Sequence, residues 1–234
     1  VDGKNGHNYH MKMIQRLRTV FKTAKDNGWV TADPFGGFKI SMEETHREHL
    51  TIDELGVLMS KEMTSERLQR VKDIFVFSCF TGLAYTDVRG LKKSEVVMGN
   101  DGRLWIDTRR DKTKVAVYVP LLDIPRAILE KYADQTSHDR LLSIPANQKV
   151  NDYLKEIAAI CGIDKNLTFH IARHTFATTV TLENGVALET VQKMLGHKNI
   201  RTTQVYAKMT KRRIGMEMES LAGVLDKGLQ PAIG

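Results

Sequence analysis

Apolar positions recur at helical spacing over residues 9 to 27, where Met13, Leu17, Val20, Phe21 and Ala24 share one face with lysines and arginines interleaved. Gly28 and Asp33-Pro34 close that helix. Residues 34 to 48 carry two glycines and mixed charge and read as an interdomain linker. Thr51-Ile-Asp-Glu54 has the spacing of a capping box and opens a new helix; a second runs from about residue 65 to 82. The period then falls to two. Residues 96–98, a turn at Asn100-Asp101-Gly102, and residues 104–108 and 115–119 predict short antiparallel strands. Helical spacing returns over residues 123–132, 148–160, 168–182 and 188–195. The fold class predicted is mainly α with a small three-stranded antiparallel sheet (α+β), preceded by a helical remnant. A last stripe, Met218, Leu221, Val224 and Leu225, predicts a tail helix that packs on its own domain or on a neighbouring protomer.

Composition narrows the class of partner. The chain has 234 residues, 41% of them hydrophobic, which is enough for a sizeable core. Its formal charge of +7 and pI of about 9.3 favour a polyanionic partner, a weak signal by itself. Cys79 and Cys161 are far apart, so neither a disulfide framework nor a cysteine-rich zinc site is expected, and each reads as a small apolar residue. The most apolar run, residues 74 to 85, is well short of the ~20 residues that span a bilayer. A signal peptide is not evident, and a reducing, cytoplasmic location in a bacterium is expected. The chain opens on Val1, which reads as a fragment.

The chemistry concentrates near the C-terminus. His170 and Arg173 are three apart and share a helical face near that helix's predicted N-terminus, where backbone N–H groups also favour anions. An arginine suits a phosphate because its planar fork grips two oxygens. His174 makes an i, i+4 pair with His170, but Ile171 stands where a zincin carries its glutamate. No metal or cofactor is therefore expected, and His174 reads as a packed or capping residue. Downstream comes Leu195-Gly196-His197, with Gly196 suited to a sharp turn after a helix, and then Thr202-Thr203 and Tyr206. In the hairpin, Arg110 and Lys112 are two apart and would share a strand face, with Arg109 on the other side. Lys208, Lys211, Arg212 and Arg213 read as a solvated basic run or as phosphate contacts.

His170-x-x-Arg173, the Leu-Gly-His box and Thr202-Thr203-x-x-Tyr206, in that order, resemble the catalytic domain of the tyrosine recombinases, the phage integrase family. The resemblance covers most of the chain. It implies residues 1–33 as the end of a helical core-binding domain, 34–48 as linker, 49–213 as catalytic domain, and 214–234 as a tail helix, possibly exchanged between protomers. It implies a site-specific recombinase acting on double-stranded DNA attachment sites, as a homotetramer in the synaptic complex, through a covalent 3′-phosphotyrosine and a Holliday junction. Neither a membrane nor a small-molecule substrate is implied. Tyr206 would be the nucleophile, Arg173 and His197 would hold the phosphate, His170 would assist proton transfer, and Lys112 would protonate the leaving oxygen.

One position departs from the family. Its first arginine follows Thr-Gly-Leu, where this chain has Ala84, while Asp87 keeps the acidic position beyond. Arg89, five helical residues on, is rotated by about 140° from Ala84, so Arg110 is the expected substitute. A similar arginine-less box resembles integrases of Bacteroides-type mobile elements. Two other readings share these residues. One is a type IB topoisomerase relaxing supercoils; the other is a DNA-binding module whose catalysis has decayed.

Overall fold

The computed structural model describes residues 3–43, 47–135, 139–207 and 211–228. The chain separates into two compact units, Val1–His46 and Arg47–Gly234. In the first, α1 (Gly3–Asp26) ends at Gly28, whose φ of +74° suits glycine. Much of the stretch expected as linker folds back on this helix. Asn8 donates to the Glu43 carbonyl and accepts from the Glu43 amide, and Phe21 meets Phe35 edge to face. Met13, Leu17 and Val20 remain exposed.

The second unit is built around α3 (Glu66–Thr81), whose Val71, Ile74, Phe75, Phe77 and Cys79 are almost fully buried. A helix buried nearly all round must be wrapped by others. It packs against α2 (Ile52–Ser60), α5 (Asp123–Lys131), α6 (Asn147–Cys161) and α7 (Phe169–Thr175). The Thr51/Glu54 capping box forms as the sequence predicts. After α3, Gly82 takes the left-handed conformation and α4 (Tyr85–Gly90) follows, with Ala84 as its N-cap. The sheet is β1 (Val96–Met98), β2 (Leu104–Arg109) and β3 (Ala116–Pro120) in the order 1-2-3, antiparallel throughout. Ile106 pairs with Val119 and Thr108 with Val117, so the inward set of β2 meets that of β3.

The helix expected over residues 168–182 is not continuous α. It changes after Thr175 to a π-helical turn, Phe176–Thr181. Thr181 Oγ1 donates to the Phe176 and Ala177 carbonyls there, and Thr179 Oγ1 donates to the Leu50 carbonyl. The chain continues through α8 (Leu188–Leu195), a left-handed Gly196, the single turn α9 (Arg201–Gln204) and the tail helix α10 (Lys211–Gly228). Met218, Leu221 and Leu225 on α10 are exposed. Lys208 lies outside the described residues, as do the side chains of Val224, Lys211, Arg212 and Arg213. Among the described residues no helix is long and apolar enough to cross a membrane, and no cluster of His, Cys, Asp or Glu could hold a metal ion.

Candidate active site

Arg173 is the centre of the site. It is 2% exposed, and its guanidinium donates to the carbonyls of Gly82 and Leu195, which end α3 and α8. Carbonyls at helix C-termini have no intrahelical partner, so a cation there satisfies them. The same guanidinium lies 3.1 Å from His197 Nε2. Arginine can only donate, so this nitrogen accepts, and His197 Nδ1–H donates to Thr203 Oγ1 at 2.9 Å. Burial, then Arg173, Arg110 and Arg47, hold the His197 pKa down at about 4. Burial and then Arg110 bring Arg173 to about 10, so it remains charged at neutral pH.

The β2–β3 turn is fastened at both ends of its tip. Asp87 Oδ1 accepts the Asp111 amide at 2.9 Å, and Thr113 Oγ1 donates to the Gly196 carbonyl at 3.3 Å. Between these anchors Arg110 reaches the site. Its charge acts on His170, Arg173, His197 and Tyr206, and its buried Nε has no hydrogen-bond partner. Strand alternation does not carry on to Lys112, because β2 ends at Arg109 and residues 110 to 114 form a tight turn. Lys112 is exposed at the tip of that turn. Arg89 is exposed as well. Ala84 lines an open cleft of about 280 Å³ together with Tyr85, Thr168, His170 and Arg173.

Tyr206 is 7% exposed. Its hydroxyl lies 3.0 Å from Nδ1 of His174, and its ring lies nearly parallel to that of His197, with centroids 6.5 Å apart. Burial raises its pKa, while Arg173, Arg47 and Arg110 pull the other way. His170 sits at the cleft mouth with part of its ring open to solvent, edge-on to His174 at 4.3 Å. Desolvation of the covered part, then Arg173, Arg47 and Arg110, lower its pKa.

Two groups were not assigned from the sequence. His174, read as packing, makes the hydrogen bond to the phenol. Arg47, read as linker, acts by its charge on Tyr206 and on all three histidines. Its neighbour Leu50 is held by two buried threonines: Leu50 N donates to Thr175 Oγ1 and its carbonyl accepts from Thr179. The i, i+4 spacing of His170 and His174 was the available signal for the first; nothing in the local pattern marked the second.

Three cations, Arg173, Arg110 and Arg47, thus act on a buried phenol and on imidazoles whose pKa values are lowered. The phage integrase family model matches residues 48–213. The chain belongs to the phage integrase family. Tyrosine recombinase XerD of Listeria monocytogenes serotype 4b is 30% identical, over 87% of this chain and 72% of that protein. Tyrosine recombinase XerD of Lacticaseibacillus casei is 28% identical, over 87% and 73%. In fold, the chain resembles the Tn1549 transposon integrase in complex with a circular intermediate DNA, at TM-score 0.70, 18% identity, and 88% and 77% of the two chains. This family member is a site-specific tyrosine recombinase, and these relatives do not favour the topoisomerase or the decayed-module reading.

Proposed function

We propose that the enzyme cuts and rejoins DNA at attachment sites, with Tyr206 as nucleophile and Arg173 and Arg110 as the phosphate clamp. The observation that carries this is the pair of guanidiniums around one small space. No carboxylate forms an ion pair with either among the described residues, and Arg110 Nε is buried without a partner. A buried guanidinium such as Arg173 without an ion-pair partner is costly, and a phosphate diester supplies the missing charge. Tyr206 Oη attacks phosphorus, the bond to the 5′-oxygen breaks, and that oxygen takes a proton. Lys112 is our candidate donor, carried toward the DNA on the anchored turn. His170, open to solvent at the cleft mouth, assists the phenol's proton loss. His197 is an acceptor in the free enzyme; a phosphate raises its pKa and turns it into a second donor. The phosphotyrosine link conserves the diester's energy for rejoining.

A free phenol has a pKa of about 10, a handicap of about 4 kcal/mol at pH 7, and burial adds to it here. Arg47, Arg173 and Arg110 offset that cost. The DNA partner is inferred from the net charge of +7 and from relatives such as the lambda integrase dimer, which is bound to a core site. We further infer a homotetramer on two paired DNA sites and action in the bacterial cytoplasm, associated with the nucleoid. The exposed stripe on α10 would reach a neighbouring protomer.

The test is a nicked duplex carrying the ends of the DNA element that encodes the protein, scored for an SDS-resistant protein–DNA band. The wild type forms the band, Tyr206→Phe forms none, and Arg110→Ala slows its formation about 100- to 1,000-fold, the usual cost of one oxyanion donor. A band that survives in Tyr206→Phe refutes the nucleophile. Arg110→Ala cutting at the normal rate removes Arg110 from the clamp.

A further inference from the structure

We infer that His174 is the positioning residue of the nucleophile: its Nδ1 accepts the Tyr206 hydroxyl and so leaves the phenol oxygen's lone pairs free for phosphorus. This rests on the reading of Tyr206 as the nucleophile. His174 is 5% exposed on α7, next in the chain to Arg173, and its imidazole is fixed on both sides. His170 lies edge-on to it at 4.3 Å, and the Tyr206 ring is tilted across it at 5.2 Å. The contact joins groups 32 residues apart, so it determines where the short segment after α9 sits relative to Arg173.

The surroundings keep the ring neutral, which allows Nδ1 to accept. His170 and Arg173 from its own helix, Arg47 and His49 from the segment before α2, and Tyr206 from beyond α9 are the groups facing His174. None is a carboxylate, and the cations oppose a further positive charge. Burial and these neighbours hold its pKa at about 3. The ring is therefore neutral at any pH where the enzyme works, with one nitrogen to accept. A neutral imidazole whose Nδ1 accepts takes the hydroxyl proton along the N···O line and leaves both lone pairs of the oxygen pointing elsewhere.

The same numbers argue against His174 as the base that removes the proton. An imidazole whose pKa is held at about 3 is a poor acceptor for the proton of a phenol whose own pKa is raised by burial. His174 therefore orients the hydroxyl, and the proton leaves by another group. Orientation alone is worth a great deal here, since a displacement of about 1 Å in a reacting atom can cost roughly a hundredfold in rate.

The test uses the fact that an asparagine amide falls near the position of Nδ1, and a glutamine amide near Nε2. His174→Asn, His174→Gln and His174→Leu are compared with wild type and Tyr206→Phe on the same nicked duplex, with covalent band formation timed under single-turnover conditions. DNA binding is followed by gel shift and folding by thermal melting. His174→Asn is expected within about tenfold of the wild-type rate, and His174→Gln and His174→Leu about a hundredfold below it, all with unchanged DNA binding. If His174→Leu does not fold, the Asn and Gln pair decides alone. Equal rates for Asn and Gln, or a His174→Leu protein cutting normally, would overturn the inference. So would a wild-type rate that falls below about pH 6.5 while His174→Asn stays flat, because that would make His174 a titrating base. A wild type with no band, or a Tyr206→Phe band, is a different failure: it removes the nucleophile, not its holder.

Discussion

Among three neighbouring side chains of the site, Arg173, His197 and His174, only the first is charged in the free protein at neutral pH. His197 and His174 have pKa values of about 4 and 3, both pushed down mainly by burial. Unfolding returns each to about 6.5, so below that value the unfolded chain binds more protons than the folded one. Their contribution to stability is complete above about pH 6.5. It is lost as pH falls toward 4 for His197 and 3 for His174, and the loss reaches about 2 kcal/mol for each by pH 5. The urea midpoint should therefore drop between pH 7.5 and pH 5, and His197→Asn should flatten that drop. A midpoint that does not move would contradict both assignments. The sequence named Tyr206, Arg173 and His197 through their order, since residue type and spacing survive in a linear text. It did not show that His174 touches the phenol, because i, i+4 spacing puts His170 and His174 on one face without saying which one the tyrosine meets. Arg47 was invisible for another reason: its place depends on Leu50 being bonded to threonines over 120 residues away.

At the level of elements, the β2–β3 turn and the start of the Leu-Gly-His box form one assembly. Gly196 has φ +61°, and a Cβ built there would lie 2.7 Å from Val117 Cγ2 and 3.4 Å from Arg110 Cβ. Gly185 also has a positive φ, +80°, but nothing lies within 4 Å of its Cβ position. Alanine at Gly185 should cost about 1 kcal/mol through backbone strain alone. At Gly196 strain and overpacking combine to about 2–4 kcal/mol, and the push on Arg110 should slow covalent band formation as well. Urea unfolding of the two variants tests this contrast, and equal costs would show that the close approach to β3 has no energetic weight. Strand and helix types were legible because period two and period 3.6 differ plainly between residues 96–119 and their surroundings. The position of Lys112 was not, since the pattern of alternating faces stops where the turn begins. The π-helical turn escaped too, because buried threonine hydroxyls select it over α, and those depend on packing.

For the whole molecule, two separate compact units and a charge of +7 set what the protein can approach, while the interior of the second unit sets what it can do there. The mainly helical plan with its inserted sheet could be read from pattern alone; the way residues 35 to 43 return to α1 could not, as it depends on side-chain pairs such as Asn8 with Glu43. The open cleft beside Ala84 has a consequence for how such sites change over time. Space remains there for a long side chain, next to Arg173, while Arg110 bears on Arg173 from the anchored turn. On the proposed function, one positive charge could sit at either of two addresses, and a chain armed at both would keep its grip on the phosphate if either were lost. Ala84→Arg placed in an Arg110→Ala protein should recover at least tenfold of the lost cleavage rate in the nicked-duplex assay. No recovery would mean that an arginine at residue 84 of this chain does not reach the phosphate, and that the turn is the one address of the two that works.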